Sequence, residues 1–308
     1  MTTRVFIDGA AGTTGLEIRD RLMGRAEFEL LVLDDAQRKD VGARKEALHA
    51  ADVAILCLPD VAAAEAVKLA EGSETRIIDA SSAHRVADGW TYGFPELVGR
   101  DKVANAPLVS NPGCYPTGFL ALIAPLVRAG ILPADSPYTV NAVSGYSGGG
   151  NAMVERFRSE TDIAFRSYGL TLEHKHLPEM QRHAGLDHGV IFAPAVVPAY
   201  RGMLVEVPLH LGAMAGDPKA GALRTHLSDH YSDSRIVSVS SETDQSELLL
   251  LDGADGHDGM ELFVFGNEGG WNARLIARFD NLGKGASGAA IQNLNIMCGL
   301  PETSGLRL

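Results

Sequence analysis

Near its start the chain reads Arg4-Val5-Phe6-Ile7-Asp8-Gly9-Ala10-Ala11-Gly12-Thr13-Thr14-Gly15, and an amphipathic segment continues to Met23. A short apolar strand, a glycine turn and a helix, in that order, form the setting in which α/β sheets bind dinucleotides. The glycines let the backbone approach a pyrophosphate, which then lies at the helix N-terminus. We therefore predict cofactor contacts at Gly9, Gly12, Thr13, Thr14 and Gly15. The spacing is GxxGxxG rather than GxGxxG, so a tight turn in another α/β protein is the alternative.

Apolar runs alternate with helical patterns along the first third of the chain. The runs at 29–33, 51–58 and 76–80 predict further strands, and an Ala-rich helix ending at Ala70 is predicted between the last two. The run at 51–58 is almost continuously apolar, as a strand buried on both faces of a parallel sheet is. This rhythm predicts a doubly wound parallel sheet of the Rossmann type.

The type of dinucleotide is indicated by two conflicting signals after the second predicted strand. Asp34 and Asp35 follow the glycines at a distance of about 20 residues, where an acid contacts a ribose 2′-hydroxyl and favours NAD. Arg38 and Lys39 come next, and such a pair neutralises a 2′-phosphate. We predict NADP(H), bound by Arg38 and Lys39; a solvated helix start is the alternative for both side chains.

A candidate nucleophile lies in the stretch Ser110-Asn111-Pro112-Gly113-Cys114-Tyr115-Pro116-Thr117, between an apolar strand end and a long apolar helical run. Pro112 and Gly113 predict a sharp turn, and Pro116 suits the first turn of a helix. Cys114 is thereby placed at a helix start, where unpaired N–H groups and the helix dipole favour the thiolate. We predict Cys114 as a nucleophile; a buried structural cysteine is the alternative.

A candidate base lies in His174-Lys175-His176-Leu177-Pro178-Glu179. Pro178 predicts a helix start, with the histidines in the extended segment before it. An imidazole near a thiol forms a base–nucleophile pair, so either His174 or His176 is a candidate base. Glu179 is predicted to orient the ring or to cap the helix. Ordinary polar histidines and a metal site are the competing interpretations, but the sequence offers no obvious third metal ligand.

Three further loops carry candidate binding residues. Arg85 follows the strand at 76–80 and either grips a phosphate or forms a surface ion pair. The glycine-rich run 144–150 predicts either an anion-binding nest of N–H groups or a flexible hairpin or lid. Arg201 connects the runs 190–197 and 202–211, which we predict to be paired strands. It either holds a substrate carboxylate or is a surface charge.

Composition limits the function classes. The 308 residues suffice for two domains, and strands with only occasional helices after residue 138 predict a mixed α+β second domain. A net charge of −12 without a basic stripe argues against nucleic-acid binding. The three cysteines, Cys57, Cys114 and Cys298, are far apart in the sequence, which argues against a disulfide framework and a structural zinc site. This spacing fits a reducing cytoplasm. Cys57 and Cys298 are predicted to be packing residues. The sequence shows no signal peptide and no membrane-length apolar run.

Taken together, these stretches resemble the shorter form of the N-acetyl-γ-glutamyl-phosphate reductase family of arginine biosynthesis. The matching segments span most of the chain: Gly9–Gly15, Ser110–Thr117, Ser144–Gly150, His174–Glu179, Arg201-Gly202, Asp280-Asn281-Leu282 and Lys284-Gly285. The cysteine-centred and histidine-centred segments are the specific ones. Asn151 stands where a basic residue often follows the family's Ser-Gly-Gly-Gly run.

The resemblance implies an NADP-binding Rossmann domain at residues 1–113 and 284–308, with an inserted catalytic and oligomerisation domain at 114–283. This is the architecture of glyceraldehyde-phosphate and aspartate-semialdehyde dehydrogenases, and it implies a homodimer or homotetramer without a metal. Cys114 is the implied nucleophile. The implied base lies in the His174–His176 motif, and we expect it to be His176 rather than His174. The implied additional cofactor contacts are Ser81, Ser147, Gly148 and Asn281. The implied substrate contacts are Arg85, Asn111, Ser144 and Arg201.

The implied reaction is reductive dephosphorylation. The Cys114 thiolate attacks N-acetylglutamyl 5-phosphate, phosphate leaves, and the thioester is reduced to the semialdehyde. The nearest alternative is a sister reductase acting on aspartyl phosphate or on a carrier-linked aminoadipyl phosphate. A metal-dependent hydrolase and a non-catalytic NADP sensor are alternatives from other classes.

Overall fold

The computed structural model describes residues 2–250 and 256–308. The chain divides into two compact units. The first comprises the chain up to Gly113 together with 286–306, and the second comprises 114–285 together with 307–308. Cys114 is therefore the first residue of the second unit.

Strands and helices follow one another in the order that the apolar runs predict. The strands are β1 (Thr3–Asp8), β2 (Phe28–Leu31), β3 (Val53–Leu56), β4 (Arg76–Asp79), β5 (Thr91–Tyr92), β6 (Leu108–Ser110), β7 (Thr139–Gly145), β8 (Arg166–Ser167), β9 (Ile191–Val197), β10 (Met203–Leu209), β11 (Val237–Val239), β12 (Met260–Gly266) and β13 (Ala273–Phe279). The helices are α1 (Thr13–Leu22), α2 (Val41–Ala50), α3 (Asp60–Leu69), α4 (Pro95–Val98), α5 (Arg100–Asn105), α6 (Cys114–Arg128), α7 (Gly150–Ser159), α8 (Leu177–Ala184), α9 (Ala220–His230) and α10 (Gly288–Met297).

The first unit is a parallel sheet with strand order β2-β1-β3-β4-β6-β5. Alternate residues of β1 enter different core clusters: Val5 packs with Ile18 of α1, and Phe6 packs with Leu48 of α2. All four residues of β3 are buried. Both faces of the sheet are therefore covered, which explains the continuous apolar run and confirms the predicted Rossmann-type fold class.

The second unit is a mixed sheet with strand order β11-β12-β13-β10-β7-β9-β8. Helix α6 packs against β10 and β13. A Cβ atom placed on Gly118 would lie 2.8 Å from Phe279 Cε1 and 2.8 Å from Val205 Cβ, so the helix approaches the sheet closely at that glycine. The sheet confirms the predicted mixed α+β character of this part of the chain.

The prediction that 190–197 and 202–211 are paired strands is wrong. Strand β7 lies between them, parallel to β9 and antiparallel to β10. The connection between β9 and β10 crosses the end of β7, where Gly145 N donates to Gly202 O and Tyr146 N donates to Ala199 O. A hairpin is excluded because β7 takes the hydrogen-bonding position that it would need.

The residues that follow β7 in the glycine-rich run are helical, which contradicts a hairpin there. The lid and the anion-binding nest stay predictions. A 3₁₀ turn covers Tyr146–Gly149, and α7 begins directly at Gly150, whose φ is 72°. Ser147 N donates to Tyr200 O, so this turn is tied to the connection between β9 and β10. Among the described residues, no helix combines the length and the apolar character needed to cross a bilayer.

Candidate active site

Cys114 begins α6, as the turn chemistry of Pro112 and Gly113 predicts, and its side chain is partly exposed. The helix starts four residues earlier than the apolar run that begins at Gly118. A Cβ atom placed on Gly285 would lie 3.0 Å from Cys114 Cβ and 3.1 Å from the Asp280 carbonyl oxygen. The backbone at Gly285 therefore lies directly against the predicted nucleophile, which leaves little room for that side chain to move.

The structure brings the two predicted histidines against the first turn of α6. The ring of Tyr115, the residue after Cys114, lies 6.0 Å from the His176 ring and 6.4 Å from the His174 ring. The two imidazole rings are 4.7 Å apart. Helix α8, which follows His176, packs against α6. Within the second unit, both histidines thus lie near the residue that follows the predicted nucleophile.

The two histidines differ in what they bind. His174 Nδ1 accepts the His176 backbone N–H at 3.2 Å, so this nitrogen is unprotonated. Burial, reinforced by the charge of Lys175, lowers the pKa of His174 below its usual value. His174 therefore stays neutral and holds the turn that leads into α8. His176 is buried, and so is Glu179 in the first turn of α8.

Two tyrosines complete this cluster, and the sequence reasoning missed both. Tyr115 donates its hydroxyl hydrogen to Ala195 O at 3.1 Å, and Tyr168 donates to the Tyr115 hydroxyl oxygen at 3.2 Å. Burial is the main cause that raises the pKa of Tyr115 well above its usual value and that of Tyr168 to about 12. Adjacency to Cys114 was a usable signal for Tyr115, but nothing in the sequence pointed to Tyr168.

Three residues predicted to bind the cofactor form a hydrogen-bonded group in the second unit. Asn281 Nδ2 donates to Ser147 Oγ at 2.9 Å, and Gly202 N donates to Asn281 Oδ1 at 2.9 Å. A Cβ atom on Gly148 would lie 3.2 Å from Asn281 Nδ2. Asn281 therefore holds the glycine-rich turn against the connection between β9 and β10.

Predicted substrate residues of the second unit also lie in this region. Arg201 is partly buried and pairs with Asp280 at 3.1 Å, so the surface-charge interpretation is wrong. It lines a cavity of about 510 Å³ together with Arg235 and Arg278. Ser144 is buried and donates to Gly145 O at 2.9 Å.

The glycine turn of the first unit fits a dinucleotide. Gly9 has a φ of 91°, and a Cβ atom there would collide with the Cys57 carbonyl oxygen. A Cβ atom on Gly15 would collide with Gly9 O in the same way. Gly12 is the N-cap of α1 and provides no side-chain cap, so Thr13 and Thr14 open the helix behind a bare backbone turn. Such a turn, without side chains in the way, is what close approach of a pyrophosphate requires.

A buried ion pair borders this turn, and the sequence reasoning missed it. Arg44 of α2 donates to Asp8 Oδ2 from Nε at 3.1 Å and from Nη2 at 2.8 Å. Asp8 is the last residue of β1, directly before Gly9. The pair links α2 to the start of the glycine turn, and no spacing pattern in the sequence indicates a contact across 36 residues.

The segment predicted to choose the cofactor is an exposed 3₁₀ turn, Gln37–Lys39. Asp34 Oδ1 accepts the backbone N–H groups of Ala36 at 2.9 Å and Gln37 at 2.8 Å, which caps the turn. Arg38 pairs with Asp35 at 3.0 Å. The turn therefore presents Arg38 and Lys39 near the solvent, and their contact with a 2′-phosphate stays a prediction.

Arg85 is buried, so its interpretation as a surface ion pair is wrong. Its Nε donates to Asn111 O at 3.0 Å and its Nη2 to Ala80 O at 3.0 Å. Asn111 Nδ2 donates in turn to Ala286 O at 3.0 Å. Ser81 is also buried, and its hydroxyl donates to Asp79 Oδ2 at 2.7 Å. These bonds order the loops that follow β4 and β6 within the first unit.

The part of the chain that the structure describes contains no recognisable metal-binding cluster. No group of three or more His, Cys, Asp or Glu side chains in residues 2–250 and 256–308 is placed to hold a metal ion. Among those residues, the structure shows no third ligand beside His174 and His176 for the metal-hydrolase interpretation.

Comparisons with known proteins identify the same two parts of the chain. The family described as "Semialdehyde dehydrogenase, NAD binding domain" matches residues 4–106, and "Semialdehyde dehydrogenase, dimerisation domain" matches 114–281. An N-acetyl-gamma-glutamyl-phosphate reductase of Trichormus variabilis is 49% identical over 98% of this chain and 99% of its own length. One of Brucella anthropi is 50% identical over 97% of this chain and 99% of its own.

Solved structures support the fold. A probable aspartate-semialdehyde dehydrogenase from Pseudomonas aeruginosa matches with a TM-score of 0.74 at 15% identity, covering 97% of this chain and 99% of that one. Aspartate semialdehyde dehydrogenase from Candida albicans, solved with NADP, matches with a TM-score of 0.67 at 14% identity and the same coverage.

Proposed function

This chain belongs to the semialdehyde dehydrogenase family, and from that premise we propose that it is an NADPH-dependent reductase of L-arginine biosynthesis. Its proposed reaction converts N-acetyl-L-glutamyl 5-phosphate to N-acetyl-L-glutamate 5-semialdehyde and phosphate. The names of relatives about half identical over nearly the whole chain support this substrate. The structural observation that carries the proposal is the placement of Cys114 at the start of α6, with both imidazoles against the adjacent Tyr115.

Cys114 is the proposed nucleophile. The N-terminus of α6 favours its thiolate, because the helix dipole and the first N–H groups stabilise negative charge there. The sulfur attacks the acyl carbonyl, the carbon–oxygen bond to phosphate breaks, and a Cys114 thioester forms. The same helix N-terminus supplies donors for the developing oxyanion.

His176 is the proposed base. It takes the thiol proton from Cys114 and later donates a proton to the reacting oxygen, a contribution of about 10²–10⁴-fold to the rate. The hydrogen bond from the His176 backbone N–H to His174 Nδ1 supports this choice, because it makes the His174 ring less available for proton transfer. His174 is proposed to position His176, and the buried Glu179 to stabilise its charged form.

NADPH, when bound, supplies the hydride that reduces the thioester carbonyl. The proposed contacts of the first unit are Gly9, Gly12, Thr13, Thr14 and Gly15 for the pyrophosphate, Arg38 and Lys39 for the 2′-phosphate, and Ser81. The proposed contacts of the second unit are Ser147, Gly148 and Asn281. The bare glycine turn supports the first set, and the structure of a fold neighbour with NADP supports the choice of cofactor. The first unit, with α10, is thus proposed as the cofactor domain and the second as the catalytic domain.

Substrate binding and assembly complete the proposal. Arg85, Asn111, Ser144 and Arg201 are proposed to hold the phosphate and carboxylate groups of the substrate. The match of 114–281 to a dimerisation domain supports a homodimer or a homotetramer. None of the three cysteines, all of which lie among the described residues, forms a disulfide, which suits the reducing cytoplasm that we propose as the compartment.

One experiment tests the reaction directly. Purified protein is assayed for NADP-dependent oxidation of N-acetylglutamate semialdehyde with and without phosphate, and turnover is expected only when phosphate is present. Acetylglutamyl, aspartyl and aminoadipyl phosphates are then compared in the forward direction. Preference for either of the latter two would move the assignment to the sister reductases, and chelator-sensitive hydrolysis without NADPH would favour the metal hydrolase.

A further inference from the structure

Tyr168 lies beside the proposed catalytic pair but has no part in the reaction described above. It directly follows β8, the edge strand of the second unit, and its backbone N–H donates to Pro194 O of β9 at 3.2 Å. The Arg166 guanidinium lies 4.4 Å from the centre of its ring. The phenol is therefore anchored at its backbone and along its ring face.

We infer that Tyr168 is a positioning residue for the proposed base. Together with Tyr115, it holds the His174–His176 segment against the first turn of α6. This inference rests on the proposed function, because it concerns the same thiol and imidazole.

The two hydroxyl groups form a directed chain. Tyr168 donates to the Tyr115 oxygen at 3.2 Å, and Tyr115 donates to the Ala195 carbonyl of β9 at 3.1 Å. Burial raises the pKa of both phenols, and the charge of Cys114 adds to the effect, so both keep their protons at neutral pH and both lie near the sulfur. Tyr115 directly follows Cys114, so the chain fixes the first turn of α6 relative to β9.

The Tyr168 ring contacts the first of the two histidines. It lies 5.8 Å from the His174 ring, which is also enclosed by Phe192 at 5.1 Å. His174 in turn accepts the His176 backbone N–H and contacts the His176 ring at 4.7 Å. A change at Tyr168 therefore reaches His176 through His174. Displacing a catalytic group by ~1 Å lowers the rate by about 10²-fold, so a displacement transmitted through His174 would give a measurable decrease in rate.

The test uses Tyr168→Leu, Tyr168→Phe and Tyr115→Phe, with Tyr231→Phe as the matched control. Tyr231 donates its hydroxyl to Ala121 O at 2.9 Å, a buried phenol–carbonyl bond to the same helix α6. The control therefore loses the same kind of bond as Tyr115→Phe does, but outside the cluster. The measurements are kcat, KM, thermal unfolding and the rate of Cys114 alkylation by iodoacetamide as a function of pH.

Tyr168→Leu is expected to lower kcat by ~10²-fold with KM changed less than about threefold, because the base is misplaced while binding is kept. Tyr168→Phe keeps the ring and loses one hydrogen bond, so a smaller decrease of about three- to tenfold is expected. Tyr231→Phe is expected to lower the unfolding temperature as Tyr115→Phe does, with kcat unchanged.

The inference is overturned if folded Tyr168→Leu keeps kcat within about twofold of wild type, or if the control loses as much kcat as the Tyr168 variants. If Tyr168→Leu does not fold, Tyr168→Phe decides, and an unchanged kcat with an unchanged alkylation profile rejects the role. Absence of turnover by the wild-type protein would reject the proposed function instead. The alkylation rate would still test positioning, because Tyr168→Leu is expected to slow it at neutral pH by about tenfold and Tyr231→Phe is not.

Discussion

Cys57 and Cys114 are both placed just after a parallel strand, and we predict opposite chemical roles for them. Cys57 follows β3 directly and Cys114 follows β6 after a short loop. Carboxyl ends of parallel strands are where ligands bind in α/β proteins. Position in the fold alone would therefore make both cysteines candidates for reaction with a substrate.

Their surroundings explain the difference. Cys57 packs against the core cluster of the first unit, and burial, with smaller effects from Asp79 and Asp8, raises the pKa of its thiol to about 12. Cys114 opens a helix, and two imidazoles lie near Tyr115 in the first turn of that helix. A position at the end of a strand makes a cysteine accessible to a ligand. Ionisation of its thiol is favoured by a helix N-terminus and a nearby base.

The strongest test of this contrast removes each sulfur in turn. Cys114→Ser is expected to lower acyl-phosphate reduction by ~10³-fold or more, because the hydroxyl is a far weaker nucleophile. Cys57→Ala is expected to leave kcat within about twofold, since that thiol contributes packing only. Steady-state reduction with NADPH measures both. Near-wild-type turnover of Cys114→Ser would reject the covalent route.

Alkylation separates the same two thiols without any substrate. At pH 7 a thiol with a pKa of about 12 is ionised in only ~10⁻⁵ of molecules, so Cys57 is expected to resist iodoacetamide. Cys114 is expected to react at least ~10²-fold faster. Peptide mapping by mass spectrometry over time measures both rates. Equal labelling, or slow labelling of Cys114, would support a non-catalytic protein instead.

The base is tested by comparing the two histidines. His176→Asn is expected to lower kcat by ~10²-fold or more, and His174→Asn by about tenfold through loss of the bond that holds His176. His188→Asn, at an exposed position in the same unit, is the control and should leave kcat unchanged. If His174→Asn is the more damaging of the two, the roles assigned here are reversed.

The smallest expected effect concerns stability at acid pH. The pKa of His174 is lowered in the fold, so the unfolded chain binds this proton more readily. The stabilising contribution is therefore present above the usual value of about 6.5 and is lost as pH falls through the lowered one. Chemical denaturation at pH 7 and pH 5 should show a smaller acid loss for His174→Asn than for wild type. An equal loss would assign the acid sensitivity to other groups.

Local patterns predicted many of the elements, and the roles of the candidate site residues stay predictions. The glycine turn before α1, the helix start at Cys114 and strand β3 at Val53–Leu56 all follow from turn residues and apolar runs of the sequence. The pairing of β9 with β10 was wrong, because strand neighbours depend on contacts far apart in sequence. The burial of Arg85 could not be predicted for a related reason: it donates to the backbone carbonyl groups of Asn111 and Ala80, which carry no side-chain signal.

The sequence by itself determined the Rossmann-type fold of the first unit, the glycine turn at Gly9–Gly15 and the position of Cys114 at a helix start. Each of these depends on backbone preferences and hydrophobic periodicity within short segments. Only the tertiary structure decided that Tyr168 reaches Tyr115 and His174, that His174 caps the turn before α8, and that burial keeps Cys57 protonated. Those outcomes depend on which side chains, far apart in sequence, are buried together in a low-dielectric environment. No local pattern in the sequence indicates such contacts.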